Sequence, residues 1–109
     1  MNKFELARSS NTPPEVLEKL ANDEEDDILD GVACNSNTPP EVLEMLVDEI
    51  WFVRLNVAQN PNTPPKVLEK LANDEDDDVR YYVAQNPNTQ KYIKTYLKYN
   101  CYLNCYEQI

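Results

Sequence analysis

Residues 11–18 of the chain read NTPPEVLE, and residues 37–44 repeat the same eight letters without a change. A third copy, NTPPKVLE, occupies residues 62–69, and a degenerate fourth copy begins at Asn88 with NTQ. The copies begin 26, 25 and 26 residues apart. A motif that returns at a fixed period of this length is the sequence signature of a repeat protein, in which each copy is one supersecondary unit.

A second block returns in phase with the first. It reads ILDGVACNSN at residues 28–37, VRLNVAQNPN at residues 53–62 and VRYYVAQNPN at residues 79–88. Two blocks that repeat in register make chance similarity a poor explanation. Each unit therefore contains two recurring elements, which are joined by a more variable segment.

The first block predicts a helix. Threonine followed by proline opens each copy, and we expect these threonines to be helix N-caps: Thr12, Thr38 and Thr63. Glu15 and Glu41 stand three residues after their threonines and complete capping boxes, whereas Lys66 interrupts the third box. Apolar residues then recur at helical spacing, as Val16, Leu17, Leu20 and Ala21, as Val42, Leu43, Leu46 and Val47, and as Val67, Leu68, Leu71 and Ala72.

The second block predicts a shorter helix. Its inward positions are Ile28, Val32 and Ala33, with the counterparts Val53, Val57, Ala58, Val79, Val83 and Ala84. Leu6 and Ala7 fall in phase with them, so we expect the chain to open with a half-repeat. Asparagines follow these helices at Asn35, Asn60 and Asn86; we expect a left-handed backbone there and a ladder of hydrogen bonds between units.

The pattern NTPP…VLE…VR…VA.NPN, over about residues 6–90, resembles the leucine-rich repeat variant family, a branch of the HEAT-like helical repeats. The resemblance implies an all-α fold of α-helices alternating with 3₁₀-type or short helices in a right-handed superhelix, an α-solenoid of about three repeats. Some members carry a cysteine cluster for an iron–sulphur centre before the repeats; no cysteine precedes Asn11 here, so we expect no cofactor. We expect one repeat domain, made of a half-repeat (1–10), three repeats (11–36, 37–61 and 62–87) and a C-terminal capping helix region (88–109).

The composition excludes several classes of function. Twenty acidic residues against ten basic ones give a net charge of −10, which disfavours nucleic acid and anionic membranes and favours a protein partner with a basic surface. The chain has no histidine, which removes the usual general base, and its only glycine is Gly31, so it has no glycine-rich phosphate loop. We therefore expect a protein that is not an enzyme.

The cysteines and the termini indicate the compartment. Cys34, Cys101 and Cys105 lack the spacing of a disulfide framework and suit a reducing environment. The N-terminal residues MNKFELARSS lack a signal-peptide core, and no apolar run has the length of a membrane span. We therefore expect a cytoplasmic protein. Cys101 and Cys105 lie one helical turn apart and are either inert thiols or half of a zinc site shared across a dimer.

Two acidic runs occupy the same place in the first and third units: Asp23, Glu24, Glu25, Asp26 and Asp27, and Asp74, Glu75, Asp76, Asp77 and Asp78. Stacked units would align the two runs on one edge of the molecule. The runs are either solvated loops and helix starts or a docking edge for a basic partner. A calcium site is a weaker alternative, because the ligand order of a calcium-binding loop is missing.

The second unit interrupts this edge. It is one residue shorter there and carries Ile50, Trp51 and Phe52 where its neighbours carry acidic residues. Aromatic residues within a polar rim are typical of binding hot spots. The alternative is that the deletion rotates the loop inward and that Trp51 fills a gap between units.

Two arginines recur at the start of the second helices, namely Arg54 and Arg80. They either form a row that binds anions or are the ion-pair partners of nearby carboxylates.

The predicted C-terminal helix has two distinct faces. One face carries Tyr92, Tyr96, Tyr99, Leu103 and Tyr106, and the adjoining face carries Ile93, Leu97, Cys101 and Cys105. Because a terminal repeat has to cover the end of the core, this helix is either a cap alone or a cap whose tyrosines also meet a partner or a second copy of the chain.

These patterns predict a non-catalytic protein–protein interaction module, either a small adaptor or an inhibitor, built as an all-α solenoid. We expect recognition at Ile50, Trp51, Phe52, Asp26, Asp27, Asp76, Asp77, Tyr92, Tyr96 and Tyr99. Two alternatives stay open. One is an acidic mimic of nucleic acid that blocks a basic groove on another protein, and the other is a homo-oligomeric structural unit such as a homodimer.

Overall fold

The structure is a computed structural model that describes residues 1–101, with side chains up to residue 99. This part of the chain forms eight short α-helices and no β-strand. They are α1 (Lys3–Arg8), α2 (Pro14–Leu20), α3 (Asp26–Cys34), α4 (Pro40–Met45), α5 (Trp51–Gln59), α6 (Pro65–Leu71), α7 (Asp77–Gln85) and α8 (Lys91–Tyr96), and a π-helical turn (Leu97–Cys101) follows α8. The all-α prediction is confirmed. Over residues 1–101 both helices of each unit are α-helical, and the 3₁₀ type that the resemblance allowed does not occur.

The odd-numbered helices pack against one another in chain order, α1 on α3, α3 on α5 and α5 on α7. The helices α2 and α6 each contact the odd-numbered helices that precede and follow them, and α8 contacts α7. The molecule measures 46 × 21 × 19 Å along its principal axes. No helix within residues 1–101 combines the length and apolar character that crossing a bilayer requires.

The core is a single cluster that takes its side chains from the same positions of successive units. Its largest fully buried members are Leu17, Leu43, Leu68, Leu46, Leu71, Leu97, Val32, Val57, Val83, Val42, Val53 and Val79. Most of the predicted inward positions are confirmed as buried, whereas Leu6, Val16 and Ala84 are half-buried against the cluster. Since every unit contributes equivalent residues, each unit buries its apolar face against its neighbours.

The threonines of the NTPP motif are not N-caps, which corrects the sequence prediction. Each of these helices begins one residue later than expected, at Pro14, Pro40 and Pro65, and the preceding proline is an N-cap without a side-chain hydrogen bond. The threonines are buried, and each hydroxyl donates to a carbonyl oxygen six residues earlier at 2.5–2.6 Å, from Thr12 to Leu6, Thr38 to Val32, Thr63 to Val57 and Thr89 to Val83. The last carbonyl groups of a helix have no partner within it, and the threonine hydroxyl supplies one.

The predicted asparagine ladder is confirmed. Nδ2 of the buried Asn60 donates to the carbonyl oxygens of Ala33 at 2.7 Å and Asn35 at 3.0 Å in the previous unit. Its Oδ1 accepts from the backbone amide of Asn62 at 2.9 Å. The same three bonds return at Asn35 and Asn86. Buried polar atoms of successive units therefore satisfy one another.

The backbone at these asparagines differs from the prediction. Asn35, Asn60 and Asn86 have φ between −77° and −70° and an extended ψ. No residue in the described range 1–101 has a positive φ. The chain leaves each of these helices through an extended residue, so a left-handed cap is not needed and glycine is not required at these positions.

Gly31 lets α1 approach α3 closely. A Cβ atom at this position would lie 2.7 Å from Cβ of Ala7 and 2.8 Å from Nη1 of Arg8. Ala7 is fully buried, and its Cβ cannot move without the backbone of α1. Asn56 and Tyr82 occupy the equivalent positions of the next two units, so the close approach is specific to the first pair of helices.

Candidate functional site

The helices α3, α5 and α7 pack on one another in chain order, and each starts with residues of the predicted recognition surface. The asparagine ladder joins equivalent residues at the C-terminal ends of these helices. Near their N-terminal ends, Arg54 of α5 bonds Asp74, which lies just before α7. The helices α5 and α7 are thus joined at both ends, whereas α3 and α5 are joined at their C-terminal ends and, between Asp30 and Asn56, near the middle. The first turns of α3 and α7 carry exposed carboxylates, named here the acidic edge: Asp26, Asp27, Asp77 and Asp78.

The aromatic patch, formed by Ile50, Trp51 and Phe52, separates the two halves of the acidic edge. Trp51 is the first residue of α5 and is 48% exposed, whereas Phe52 is half-buried against the core. Their rings meet edge to face with centroids 5.7 Å apart. Ile50 precedes the helix and is also exposed. The structure thus favours an exposed Trp51 over a ring that fills a gap between units.

The second helix of the second unit begins differently from that of the third unit. In the third unit the N-cap is Asp76, whose Oδ1 accepts from the backbone amides of Asp78 at 2.9 Å and Val79 at 3.1 Å. In the second unit the N-cap is Ile50, whose side chain cannot accept a hydrogen bond. The amide equivalent to that of Asp78 belongs to Phe52, and no side chain caps it. The start of α5 therefore offers apolar side chains beside an open backbone donor.

Some acids of the two runs hold the fold together. An oxygen of the Asp23 carboxylate lies 2.7 Å from Nζ of Lys3, and the other accepts from the amide of Glu25 at 2.9 Å. The hydrogen bond from Lys3, followed by the one from the Glu25 backbone, lowers the pKa of Asp23 below its ordinary value. The same contact raises the pKa of Lys3. Asp23 thus ties α1 to the loop before α3.

The two arginines are bound to carboxylates. Nε of Arg54 donates to Oδ2 of Asp74 at 2.7 Å and Nη2 donates to Oδ1 at 3.0 Å, and both side chains are largely buried. This hydrogen bonding raises the pKa of Arg54. Arg80 forms an ion pair with Asp77 and donates to the carbonyl oxygen of Asp74 at 2.6 Å. The interpretation as ion-pair partners is therefore favoured over a row for anions.

The C-terminal helix has the predicted division into two faces as far as Tyr99. Ile93 and Leu97 are buried and cover the end of the core, whereas Tyr92, Tyr96 and Tyr99 are exposed. Ile93 and Leu97 belong to the core cluster, and a capping role for the whole region 88–109 stays a prediction. The exposed face, named here the tyrosine face, consists of Tyr92, Tyr96 and Tyr99.

Two tyrosines of the tyrosine face also form hydrogen bonds with the preceding unit. The hydroxyl of Tyr92 donates to Oε2 of Glu69 at 2.7 Å, and this bond raises the pKa of Tyr92. The hydroxyl of Tyr96 donates to Oδ1 of Asn73 at 3.2 Å. Between these contacts lies a shallow groove of about 250 Å³ between α6 and α8, which Ala72 also lines. Part of the tyrosine face therefore serves contacts within the chain.

Sequence reasoning missed two exposed apolar side chains and a second ladder. Phe4 is exposed, and the guanidinium of Arg8 lies 4.1 Å from its ring centroid; their spacing of four residues was the available signal. Met45 is exposed on α4, where the other units carry lysine. In the second ladder, Nδ2 of each asparagine donates to carbonyl oxygens of the previous unit, at Asn37, Asn62 and Asn88. The Asn-x-Asn spacing in the sequence was the available signal.

Several predicted residues fall outside the described part of the chain, namely Leu103, Cys105, Tyr106 and the side chain of Cys101. Cys34 lies within it as a free thiol, and partial burial followed by the charge of Asp30 raises the pKa of that thiol. Within the described side chains, no group of three or more cysteine or acidic residues is placed to hold a metal ion.

Comparison with known proteins identifies one family. The model of the family described as leucine rich repeat variant matches residues 51–76, a segment that contains α5, α6 and the start of the second acidic run. This match confirms the recognition of a HEAT-like helical repeat family, which is a repeat family not known for catalysis. No curated protein and no solved structure matches the chain.

Proposed function

We propose that this chain, a leucine rich repeat variant protein by its match over residues 51–76, is a non-catalytic protein-interaction module that acts as a small adaptor or an inhibitor. The observation that carries the proposal is the exposure of Trp51 between two exposed acidic helix starts. Tryptophan is the residue most enriched at the centre of binding hot spots, and a polar rim around it is the usual surrounding. The aromatic patch and the acidic edge, with Asp76 at its margin, are the recognition surface, and the tyrosine face is a second one.

The proposal includes the architecture and the compartment. The units stack as a right-handed α-solenoid that forms one repeat domain, with a half-repeat at 1–10, repeats at 11–36, 37–61 and 62–87, and a cap from residue 88. The row of odd-numbered helices and the cross-unit ladders support this stacking. The protein acts in the cytoplasm, where a free thiol such as Cys34 persists.

The partner is a protein with a basic surface. The net charge of −10 and the acidic edge attract cations at long range. An acidic mimic of nucleic acid is less well supported, because Trp51 interrupts the row of charge and Asp23 and Asp74 are engaged in ion pairs. Salt separates the two functions. Mimicry weakens steeply with ionic strength, whereas a contact centred on Trp51 keeps most of its affinity.

The test is an affinity capture with matched variants. Wild type, Trp51→Ala and Met45→Ala are immobilised and exposed to the same cell extract, and retained proteins are identified by mass spectrometry. Met45 is 49% exposed and lies outside the aromatic patch, so it controls for the loss of any exposed apolar side chain. We expect wild type and Met45→Ala to retain the same basic protein and Trp51→Ala to lose it.

Two outcomes of this experiment count against the proposal. Retention of the same proteins by Trp51→Ala would show that the aromatic patch is not the recognition surface. If wild type retains only further copies of itself, and its mass in solution rises with concentration, the homo-oligomeric alternative replaces the adaptor.

A further inference from the structure

The helix starts along the acidic edge are spaced by helix packing. The helices α3, α5 and α7 pack directly on one another, and the axes of packed helices lie about 8–10 Å apart. Trp51 therefore lies about one helix spacing from Asp26 and Asp27 on one side and from Asp77 and Asp78 on the other. The edge presents negative charge, an aromatic ring and negative charge at intervals of about 8–10 Å.

Open backbone donors at these helix starts favour an extended partner. Neither α3, which follows Glu25, nor α5, which follows Ile50, has a side-chain cap, whereas Asp76 caps α7. An extended segment has carbonyl oxygens available to accept from such amides, while a helix uses its own. Because an extended chain advances about 3.3 Å per residue, one helix spacing corresponds to about three residues.

We infer that the recognised feature of the partner is an extended segment in which one apolar residue lies between two pairs of cations, each pair beginning about three residues away from it. The apolar side chain packs on Trp51, and the cations lie against Asp26 and Asp27 on one side and, on the other, against Asp78 and against Asp77, which already pairs with Arg80. This inference rests on the proposed function and specifies its partner. A second copy of this chain does not fit, because it would bring its own aspartates against these.

The probes are two peptides of equal composition. RRTSLSTRR has the inferred spacing and reads the same in both directions, whereas RRRRTSLST gathers its cations at one end. Neither contains tryptophan, so the emission of Trp51, the only tryptophan of the chain, reports binding at the patch. We expect RRTSLSTRR to shift the emission to shorter wavelength and to bind with an affinity about tenfold higher than that of RRRRTSLST, because only the first peptide places cations on both sides of the anchor.

Charge variants locate the contact. The double variant Asp26→Asn with Asp27→Asn is expected to weaken binding of RRTSLSTRR by about two- to tenfold, since each removes one exposed ion pair. The control is Glu15→Gln with Glu41→Gln, which makes the same change of charge at exposed positions of α2 and α4. The affinity of this control for RRTSLSTRR is expected to stay within about twofold of the wild-type value, because the control weakens only the long-range attraction between the chain and the peptide.

Equal affinities of the two peptides would overturn the inferred spacing, as would an unchanged Trp51 emission with both of them. Tighter binding of a helical peptide with cations about six residues from the apolar residue, the distance that a helix needs to span the same interval, would overturn the extended conformation. Each of these results leaves the proposed function standing. The proposed function fails separately, when Trp51→Ala retains the captured protein.

Discussion

Asn60 joins two units through one buried side chain. Its amide donates to the carbonyl oxygens of Ala33 and Asn35, which are buried in the preceding unit. We expect Asn60→Ala to lower the free energy of unfolding by about 2–4 kcal/mol, because it removes three hydrogen bonds and leaves both carbonyl groups without this donor. Urea unfolding followed by circular dichroism measures the loss.

The matched control for Asn60 is its neighbour Gln59, which is exposed at the end of α5. Gln59→Ala should change the free energy of unfolding by less than about 0.5 kcal/mol, as substitutions at unengaged surface positions do. Equal effects of the two substitutions would mean that the ladder does not stabilise the fold.

Substitutions at Thr63 distinguish two roles for the NTPP threonine, an N-cap of the following helix and a hydrogen-bond donor to the preceding one. If Thr63 were an N-cap, aspartate could replace it without loss of stability, because aspartate is a favoured N-cap residue. The structure instead places the Thr63 hydroxyl, fully buried, 2.6 Å from the carbonyl oxygen of Val57. We therefore expect Thr63→Ser to be mild, Thr63→Val to cost about 1–2 kcal/mol in unfolding free energy, and Thr63→Asp to cost more, because a carboxylate would be buried against a carbonyl oxygen. A stability of Thr63→Asp equal to that of wild type, in the same urea unfolding assay, would restore the N-cap role.

At the scale of elements, the contact of α1 with α3 depends on the absence of a side chain at Gly31. Alanine would favour the helix by about 1 kcal/mol on propensity alone. The added Cβ would nevertheless lie 2.7 Å from Cβ of Ala7, and such overpacking costs about 1–3 kcal/mol. We expect Gly31→Ala to lower the thermal midpoint and Ala7→Gly to restore part of the loss in the double variant. A rise of the midpoint in the single variant would show that α1 does not pack this closely.

The tie between α1 and the loop before α3 is sensitive to pH. The hydrogen bond from Lys3 lowers the pKa of Asp23 in the folded chain, so its contribution to stability is present above the ordinary pKa of about 3.9 and is lost as the pH falls through the lowered value. We expect Lys3→Met to raise the pKa of Asp23 in an NMR titration. The stability difference between Lys3→Met and wild type should be present at neutral pH and disappear in strong acid. Lys19→Met, which removes an exposed lysine of α2, should leave the Asp23 titration unchanged.

The helices could be predicted from the sequence, but their starts could not. Leucine and valine recur at helical spacing in three copies, so their burial follows from the pattern. The starts depend on a competition that the pattern does not show: a threonine hydroxyl can serve the helix on its C-terminal side or the one on its N-terminal side. Thr38 and Thr63 serve the preceding helix, and that choice depends on how the units stack.

At the scale of the whole molecule, sequence could predict that the acidic runs are exposed, but it could not predict the contacts of the individual acids. Repetition in register places the two acidic runs at the same point of their units, but it does not tell which acids face a cation of a neighbouring unit, as Asp23 and Asp74 do. The missing residue lies in the loop before α5, whose first residue is Trp51, and sequence alone did not tell whether the shorter loop turns Trp51 inward or leaves it outward. The arrangement across units decides this, and it leaves Trp51 exposed.

The exposure of Trp51 to solvent between two negative helix starts can be tested most directly by fluorescence quenching in dilute solution. Quenching by caesium and by iodide is compared, each relative to a free tryptophan amide at the same ionic strength. We predict that both ions quench and that caesium is relatively the more effective, because the acidic edge attracts cations and repels anions, with the difference shrinking at high salt. An emission that neither ion quenches, or a relative advantage for iodide, would contradict this arrangement.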